Sequence, residues 1–529
     1  MSLLVASIVI MVCIISSRIS NRFGVPTLLI FIVLGMLFGS DGIFKIQFDD
    51  YKFAEEICSF ALIFIIFFGG FSTNWKMAKP VAVKAVWLST LGVFVTAALT
   101  AVFCYFALGM ELLKSCLIGA VISSTDAASV FSILRSKSLN LKYGTASLLE
   151  VESGSNDPAA YMLTVIVLML MAGSELSGVP YMLFAQIVYG GLIGVGIALI
   201  SAKFLSKFQF EVEGFDKLFV VAIAVFSYAL PTVIGGNGYL AAYIAGIMLG
   251  NSKIKNKIGL VQFFDGITGL SQIVIFFLLG LLAFPSQIPH YIFPAIAIAL
   301  FLTFVARPIA TFAIMTPFKS PVNQQLLVSW TGLRGAASIV FAIMATVSDF
   351  YGNTDLFQIV FCIALLSVAF QGSLLPFFSK KLDMVDNESN VLKTFNDYQD
   401  ETEMQLIRTQ VPTGHPWIGK TISDLNILID TLVVMIKRGK ETIIPKGNTL
   451  IKEGDTLVLS GEAYRDEEEV KLNEIVIDAG HEWVNREIKS LDLSKDILII
   501  IVRRQDGTFV VPNGDTIIEQ GDVLVLSSL

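Results

Sequence analysis

The chain has 529 residues, 54% of them hydrophobic and only 15% charged, where a soluble protein of this length carries roughly 25% charged residues. A mean hydropathy of +0.73 excludes an ordinary soluble enzyme and predicts a multi-pass protein of the lipid bilayer. The net charge of −7 is split: residues 1–381 hold 22 Lys/Arg against 17 Asp/Glu, residues 382–529 hold 15 against 27. The split predicts a domain boundary near Asp383, and the acidic tail argues against a nucleic-acid partner.

Thirteen apolar runs are candidates to cross a hydrocarbon core about 30 Å thick. They lie near 3–20, 24–40, 54–73, 82–107, 110–134, 143–173, 181–207, 215–233, 237–250, 259–284, 289–317, 322–348 and 355–379. The first has no basic residue ahead of it and no small-residue cleavage pattern, so it reads as a span rather than a signal peptide. The loops after the odd-numbered spans hold 17 basic residues and the alternate loops hold three, Lys45, Lys52 and Lys114. Basic loops stay in the cytoplasm, which predicts an outside N-terminus and a cytoplasmic tail. Cys13, Cys58, Cys104, Cys116 and Cys362 all fall in apolar runs without metal spacing and read as core residues. The three histidines are scattered and predict no metal site.

Two neighbouring spans carry polar groups where lipid penalises them. The fifth holds Ser123-Ser124-Thr125-Asp126, and the sixth holds Glu152-Ser153-Gly154-Ser155-Asn156-Asp157-Pro158. On a helix, Ser153 and Asp157 share a face, and Glu152 and Asn156 share the next. Pro158 has no amide hydrogen and leaves the Gly154 carbonyl without its helical partner, so this turn is expected to be loosened. Spare oxygens beside a carboxylate suit a hard cation. A break at Thr125-Asp126 would present a half-helix N-terminus, whose positive end the Asp126 carboxylate would neutralise. Single serines and threonines here also fit a simpler role as interhelical hydrogen-bonding groups. Glu150 is expected near the cytoplasmic mouth. Arg307 and Arg334 are buried by this reading and need partners. Glu152 is the candidate partner, with Arg307 favoured over Arg334, which could instead cap a broken helix.

Past the last span, a polar linker (382–404) leads to a repeat. GHPWIGKTISDL in the first unit (405–465) matches GHEWVNREIKSL in the second (470–529), and IIPKGNTLIKEGDTLVLSG matches VVPNGDTIIEQGDVLVLSS. The spacing is 66 residues early and 67 late. Each unit reads as a short helix with strands joined by Gly/Asp turns. His415 and Trp417 match His481 and Trp483, and their shared place suggests a packing role. No GxGxxG follows a strand, so neither NAD nor ATP is predicted as a cofactor.

ESGSNDPAA, SSTDAAS, ARP and GLRGAAS together resemble the monovalent cation/proton antiporters, in particular the bacterial potassium/proton NhaP2 type. The resemblance covers the membrane part and reaches into the tail, whose units resemble the TrkA-C (RCK C-terminal) domain. It implies an all-α polytopic domain (1–381) of about 13 transmembrane helices, with an inverted repeat and broken helices, and an α+β cytoplasmic tail. It further implies a homodimer in the bacterial inner membrane. Asp157 would bind the ion or proton, Ser153 and Thr125 would be oxygen ligands, Asn156 the neutral neighbour, and Asp126 part of the same set. Glu152 and an arginine would form a structural pair. Relatives often carry an acidic residue before the Gly-Gly of the third span; Phe68 stands there instead. With one exchanging carboxylate, K⁺ (or Na⁺) would exchange 1:1 for H⁺, electroneutrally, under regulation by the tail. A tail-gated potassium channel is the alternative, but no TVGYG-like filter is present. An intramembrane enzyme lacks H-E-x-x-H and G-x-S-x-G.

Overall fold

The computed structural model describes residues 2–23, 26–136, 139–208, 210, 212, 214–254, 256–351, 354–386, 404–425, 432–439, 441–462, 471–478, 481–491, 497–504, 509–510 and 512–528. They fall into two compact units, Met1–Gln399 and Asp400–Leu529.

The first unit is helical. Among the described residues eight helices are long and apolar enough to cross a membrane: α3 (Tyr51–Ser72), α4 (Ala82–Phe106), α7 (Thr145–Met171), α8 (Val179–Lys207), α9 (Phe215–Val233), α11 (Lys257–Leu282), α12 (Pro285–Met315) and α15 (Asp355–Lys381). Further apolar helices occupy the other five predicted runs. These are α1 (Ser2–Phe23), α2 (Thr27–Phe38), α5 (Leu112–Val121), α10 (Gly238–Gly250) and α14 (Ala336–Val347). Polar residues fix several starts. Asp50 caps α3 by accepting from the Phe53 amide at 2.9 Å, and Asn237 caps α10 through the Leu240 amide at 3.0 Å.

Two predicted spans are each broken in the middle. The fifth is α5 followed by α6 (Ala127–Ser136), and the twelfth is α13 (Val322–Trp330) followed by α14. Matching irregularities recur seven predicted spans apart: these two breaks, and π-helical turns at Leu88–Gly92 in α4 and Leu302–Ala306 in α12. An odd offset reverses the direction of travel through the membrane, as in an inverted repeat.

Between apolar helices in lipid there is no hydrophobic gain, so close backbone approach supplies the attraction. Gly35 of α2 and Gly280 of α11 lie backbone to backbone, and any Cβ at either would overlap the other helix. Gly246 and Gly250 let α10 close on Phe67 and Phe71 of α3 in the same way. Toward the other end of α7, β1 (Asn140–Leu141) pairs antiparallel with β2 (Val385–Asp386), and the Lys142 amide donates to the Met384 carbonyl at 2.8 Å. The segment entering α7 is therefore tied to the segment leaving α15.

Each half of the second unit is a four-stranded antiparallel sheet. The first has order β3-β6-β4-β5, from β3 (Met404–Gln410), β4 (Leu432–Arg438), β5 (Glu441–Ile443) and β6 (Thr456–Glu462). The second has order β7-β10-β8-β9, from β7 (Lys471–Val476), β8 (Ile497–Arg503), β9 (Phe509–Val510) and β10 (Val523–Ser528). The repeat extends to detail. Val411, Val433, Ile436, Ile451 and Leu457 are buried in one core, and their counterparts Ile477, Ile499, Val502, Ile518 and Leu524 in the other. His415 and Trp417 stack edge to face at 4.9 Å, His481 and Trp483 at 5.0 Å. In each unit the histidine Nδ1 accepts from the Trp amide at 3.3 Å. Among the described residues each unit has a single 3₁₀ turn, Ile422–Asp424 or Ile488–Ser490. Residues 426–431 and 492–496, where the α-helical expectation also fell, lie outside the described residues.

Each Gly-Asp turn buries its aspartate against an arginine. Gly454 and Gly521 take the left-handed backbone (φ 81° and 88°) that a side chain resists. The buried Asp455 then receives both Nε and Nη2 of Arg438 at 2.8 Å, and Asp522 receives Arg504 at 2.6 Å. Hydrogen bonds from Arg438 hold the Asp455 carboxyl below the usual carboxylate range, although burial alone would raise it. A depressed native value stabilises the fold above roughly pH 4, and that stabilisation is lost as pH falls through the native value. Arg438→Ala is expected to cost the first sheet about 2–3 kcal/mol and to move its acid opening to higher pH. Hydrogen exchange of β4 and β6 in the full-length protein measures both; unchanged protection would show that the pair does not hold the sheet.

Candidate functional site

The two broken spans cross at their unwound centres. The Asp126 amide donates to the Leu333 carbonyl at 2.8 Å, one backbone to the other. Asp126 caps the half-helix α6, its carboxylate accepting from the Ser129 amide at 3.2 Å and hydroxyl at 2.5 Å. It also lies against Gly335, the residue preceding α14, so closely that any Cβ there would overlap the carboxylate. One negative group thus meets the positive ends of two half-helices.

Arg334 serves the opposite ends. Buried at 2% exposure, it donates from Nη1 to the carbonyls of Ser123 and Ser124 at 3.0 and 2.5 Å, just past the C-terminus of α5. Its own amide donates to Ser367 Oγ at 3.0 Å. Arg307, at the π turn of α12, is the arginine that bonds Glu152; the two side chains are 3% and 1% exposed. Gly332 leaves room for the Arg307 side chain beside the second break.

α7 presents its polar strip to the first break. Ser153 Oγ donates to the Thr125 carbonyl at 2.7 Å, and Asn156 Nδ2 donates to Thr125 Oγ1 at 2.5 Å. Ser124 Oγ donates to Asp157 Oδ1 in a short hydrogen bond and lies 3.2 Å from Asn156 Oδ1. Asp157, Asn156, Ser153, Thr125 and Ser124 are all buried. The carboxylate of Asp157 and the hydroxyls of Ser124 and Thr125 lie together among buried groups, an oxygen-rich setting for a partly dehydrated monovalent cation or a proton.

Two expectations change. The turn around Gly154 and Pro158 is not unwound: α7 runs as one helix from Thr145 to Met171, and the irregular backbone lies in the crossing spans instead. Asn237, at the start of α10, reaches this part of α7, its Nδ2 donating to the Pro158 carbonyl at 3.0 Å. Glu150 is not at an open mouth but buried, 6% exposed. Phe68 packs with Phe64, Phe67 and Phe71, so α3 brings no carboxylate at that position. Ser124, Leu333, Gly335 and Ser367 were not singled out from the sequence. Ser124 stood inside the quoted Ser-Ser-Thr-Asp run and Gly335 inside GLRGAAS, but neither motif says which backbone it will face.

Residues 6–381 match the sodium/hydrogen exchanger transmembrane family, and residues 406–463 and 472–528 each match the TrkA-C domain. The chain is 37% identical over 376 residues to the K(+)/H(+) antiporter NhaP of Alkalimonas amylolytica, covering 70% of this chain and 65% of that protein. It is 32% identical over 454 residues to the K(+)/H(+) antiporter NhaP2 of Shewanella oneidensis, covering 84% and 78%. The sodium proton antiporter MjNhaP1 of Methanocaldococcus jannaschii, solved at pH 8, shares the fold with a TM-score of 0.62 at 22% identity, over 70% of this chain and all of that one. On the extent of the match to its helical unit, this chain belongs to the sodium/hydrogen exchanger family.

Proposed function

We propose that the protein is a K⁺/H⁺ antiporter that exchanges one cation for one proton at Asp157. The carrying observation is the charge balance around the crossing. Arg307 is matched by Glu152, and Arg334 and Asp126 are fixed at helix ends of opposite sign. Asp157 is left as the carboxylate whose partner can exchange. It holds a proton or a cation, and each disfavours the other. Both loaded forms then carry the same net charge, so transport is electroneutral. Ser153, Thr125 and Asn156 hold the break against α7 and, with Ser124, complete the oxygen set.

Thirteen crossings, an outside N-terminus and a cytoplasmic tail follow from the basic-residue asymmetry of the loops. In this reading 1–381 transports, 382–404 links, and 405–465 with 470–529 regulate, in a homodimer of the bacterial inner membrane. The NhaP and NhaP2 relatives support K⁺. Na⁺ as the main cation is the second reading, favoured by an archaeal relative named a probable Na(+)/H(+) antiporter, 26% identical over 346 residues.

Reconstitution with a pH-sensitive dye inside the vesicles tests this, with K⁺, Na⁺ and Li⁺ added separately. The expected result is proton movement driven most strongly by K⁺ at a rate insensitive to imposed voltage. A strong Na⁺ response with none to K⁺ overturns the substrate, and a voltage-dependent current overturns electroneutral exchange.

A further inference from the structure

One group of aromatic and polar residues lies outside the crossing, beyond Asp157 along α7. Tyr161 is one turn beyond Asp157, about 6 Å further and on the same face. Its ring stands edge to face against Tyr239 at 5.2 Å, Tyr239 lies 4.8 Å from Tyr228, and Phe341 of α14 lies 5.8 Å from Tyr161 and 6.0 Å from Tyr239. Tyr239 is 2% exposed. These rings come from four helices, α7, α9, α10 and α14, and together they form one aromatic cover over the turn of α7 that follows Asp157.

Glu55 of α3 stands on the far side of that cover. It accepts from Ser59 Oγ at 2.8 Å, Ser59 lies beside the Tyr239 hydroxyl, and the Glu55 charge is within electrostatic reach of Tyr161 and Tyr228. Glu55 is half-buried, open to its surroundings on one side. It sits one turn from the start of α3, Tyr239 is at the start of α10, and Tyr228 is near the end of α9. All three positions belong to the membrane face away from the basic loops. Glu55 cannot replace a carboxylate at Phe68, which is 13 residues on, about 20 Å along the helix.

We infer that Glu55 is a second carboxylate on the cation's path, one that draws cations to the mouth opposite the basic loops, above the aromatic cover formed by Tyr161, Tyr228, Tyr239 and Phe341. A fixed negative charge beside a narrow apolar wall raises the local cation concentration, an effect screened by salt. It acts on arrival from one face only, since the opposite face reaches Asp157 without passing it. The inference rests on the proposed antiport.

The test is cation-driven proton movement in vesicles of both orientations, for wild type, Glu55→Gln and Glu55→Asp. Glu55→Gln is expected to raise half-saturating K⁺ about fivefold from the face away from the basic loops, at low ionic strength. The maximal rate and the value from the opposite face should be unchanged. The defect should shrink when choline chloride is added, and Glu55→Asp should restore most of the affinity. Unchanged exchange from the opposite face shows that the variant is folded. Equal defects from both faces, or no defect, overturn the inference. Absence of exchange in wild type from either face overturns the antiport reading instead.

Discussion

Asp157→Asn is expected to abolish cation-dependent proton movement in reconstituted vesicles, down to the level of protein-free vesicles, while the protein remains folded and monodisperse. Asparagine has nearly the shape of aspartate and keeps an oxygen to accept from Ser124 Oγ, the hydrogen bond seen in the structure. The packing is therefore conserved and only the exchangeable charge is lost. A neutral amide neither titrates in the physiological range nor offers a full negative charge to a dehydrated cation. Normal exchange by this variant would place the transported ion elsewhere. Loss of exchange together with aggregation would leave the fold rather than the ion site as the cause, and an intact melting profile separates the two.

The second large effect concerns stability. Arg307→Ala leaves Glu152, 1% exposed, without its charge partner, and breaking such a buried pair costs about 3–5 kcal/mol. Thermal unfolding in detergent, followed by size-exclusion chromatography, should show a large drop in midpoint. The double variant Arg307→Gln with Glu152→Gln should recover much of the loss, because it leaves no uncompensated buried charge. If the double variant is no more stable than Arg307→Ala, the pair is not what the arginine contributes. Exchange by the double variant also tests the charge count: Asp157 would still be the carboxylate that loads and unloads.

Much of the helical unit was legible because a bilayer allows few solutions. Apolar runs of about 20 residues must satisfy their backbone internally, and the helices follow the predicted runs closely. The candidate site was partly legible for the same reason. Carboxylates and hydroxyls in Ser123–Asp126 and Glu152–Asp157 are too costly to lie in lipid without a role. What the local pattern could not show was where the helix gives way. Gly154 and Pro158 marked α7 as the weak one, yet α7 is continuous, and the breaks fall at Ile122–Asp126 and Thr331–Gly335. A proline costs a helix one hydrogen bond, here the one to the Gly154 carbonyl, and the rest of the α7 ladder carries the turn. An open turn of several residues persists only where other chain segments supply the missing partners, and two of those partners, Leu333 for Asp126 and Arg334 for Ser123, are more than 200 residues away.

The tail shows the same division. The repeat and its Gly-Asp turns were readable as text, because each unit repeats the same alternation and the same turn residues. That Asp455 and Asp522 would turn inward onto Arg438 and Arg504 was not readable, since a Gly-Asp turn more often leaves its carboxylate in water.

The sequence by itself determined that this chain has a multi-pass membrane unit, that its tail is duplicated, and which short polar stretches need partners inside the bilayer. Composition and period are local properties, and the cost of burying charge acts on each residue separately. Only the tertiary structure decided that Arg307 and not Arg334 meets Glu152, that Arg334 caps the carbonyls past α5, and that Asp126 sits at two helix starts. Those outcomes depend on which backbone ends converge when two broken helices cross, and a hydrogen bond's geometry cannot be read until both of its partners are in place.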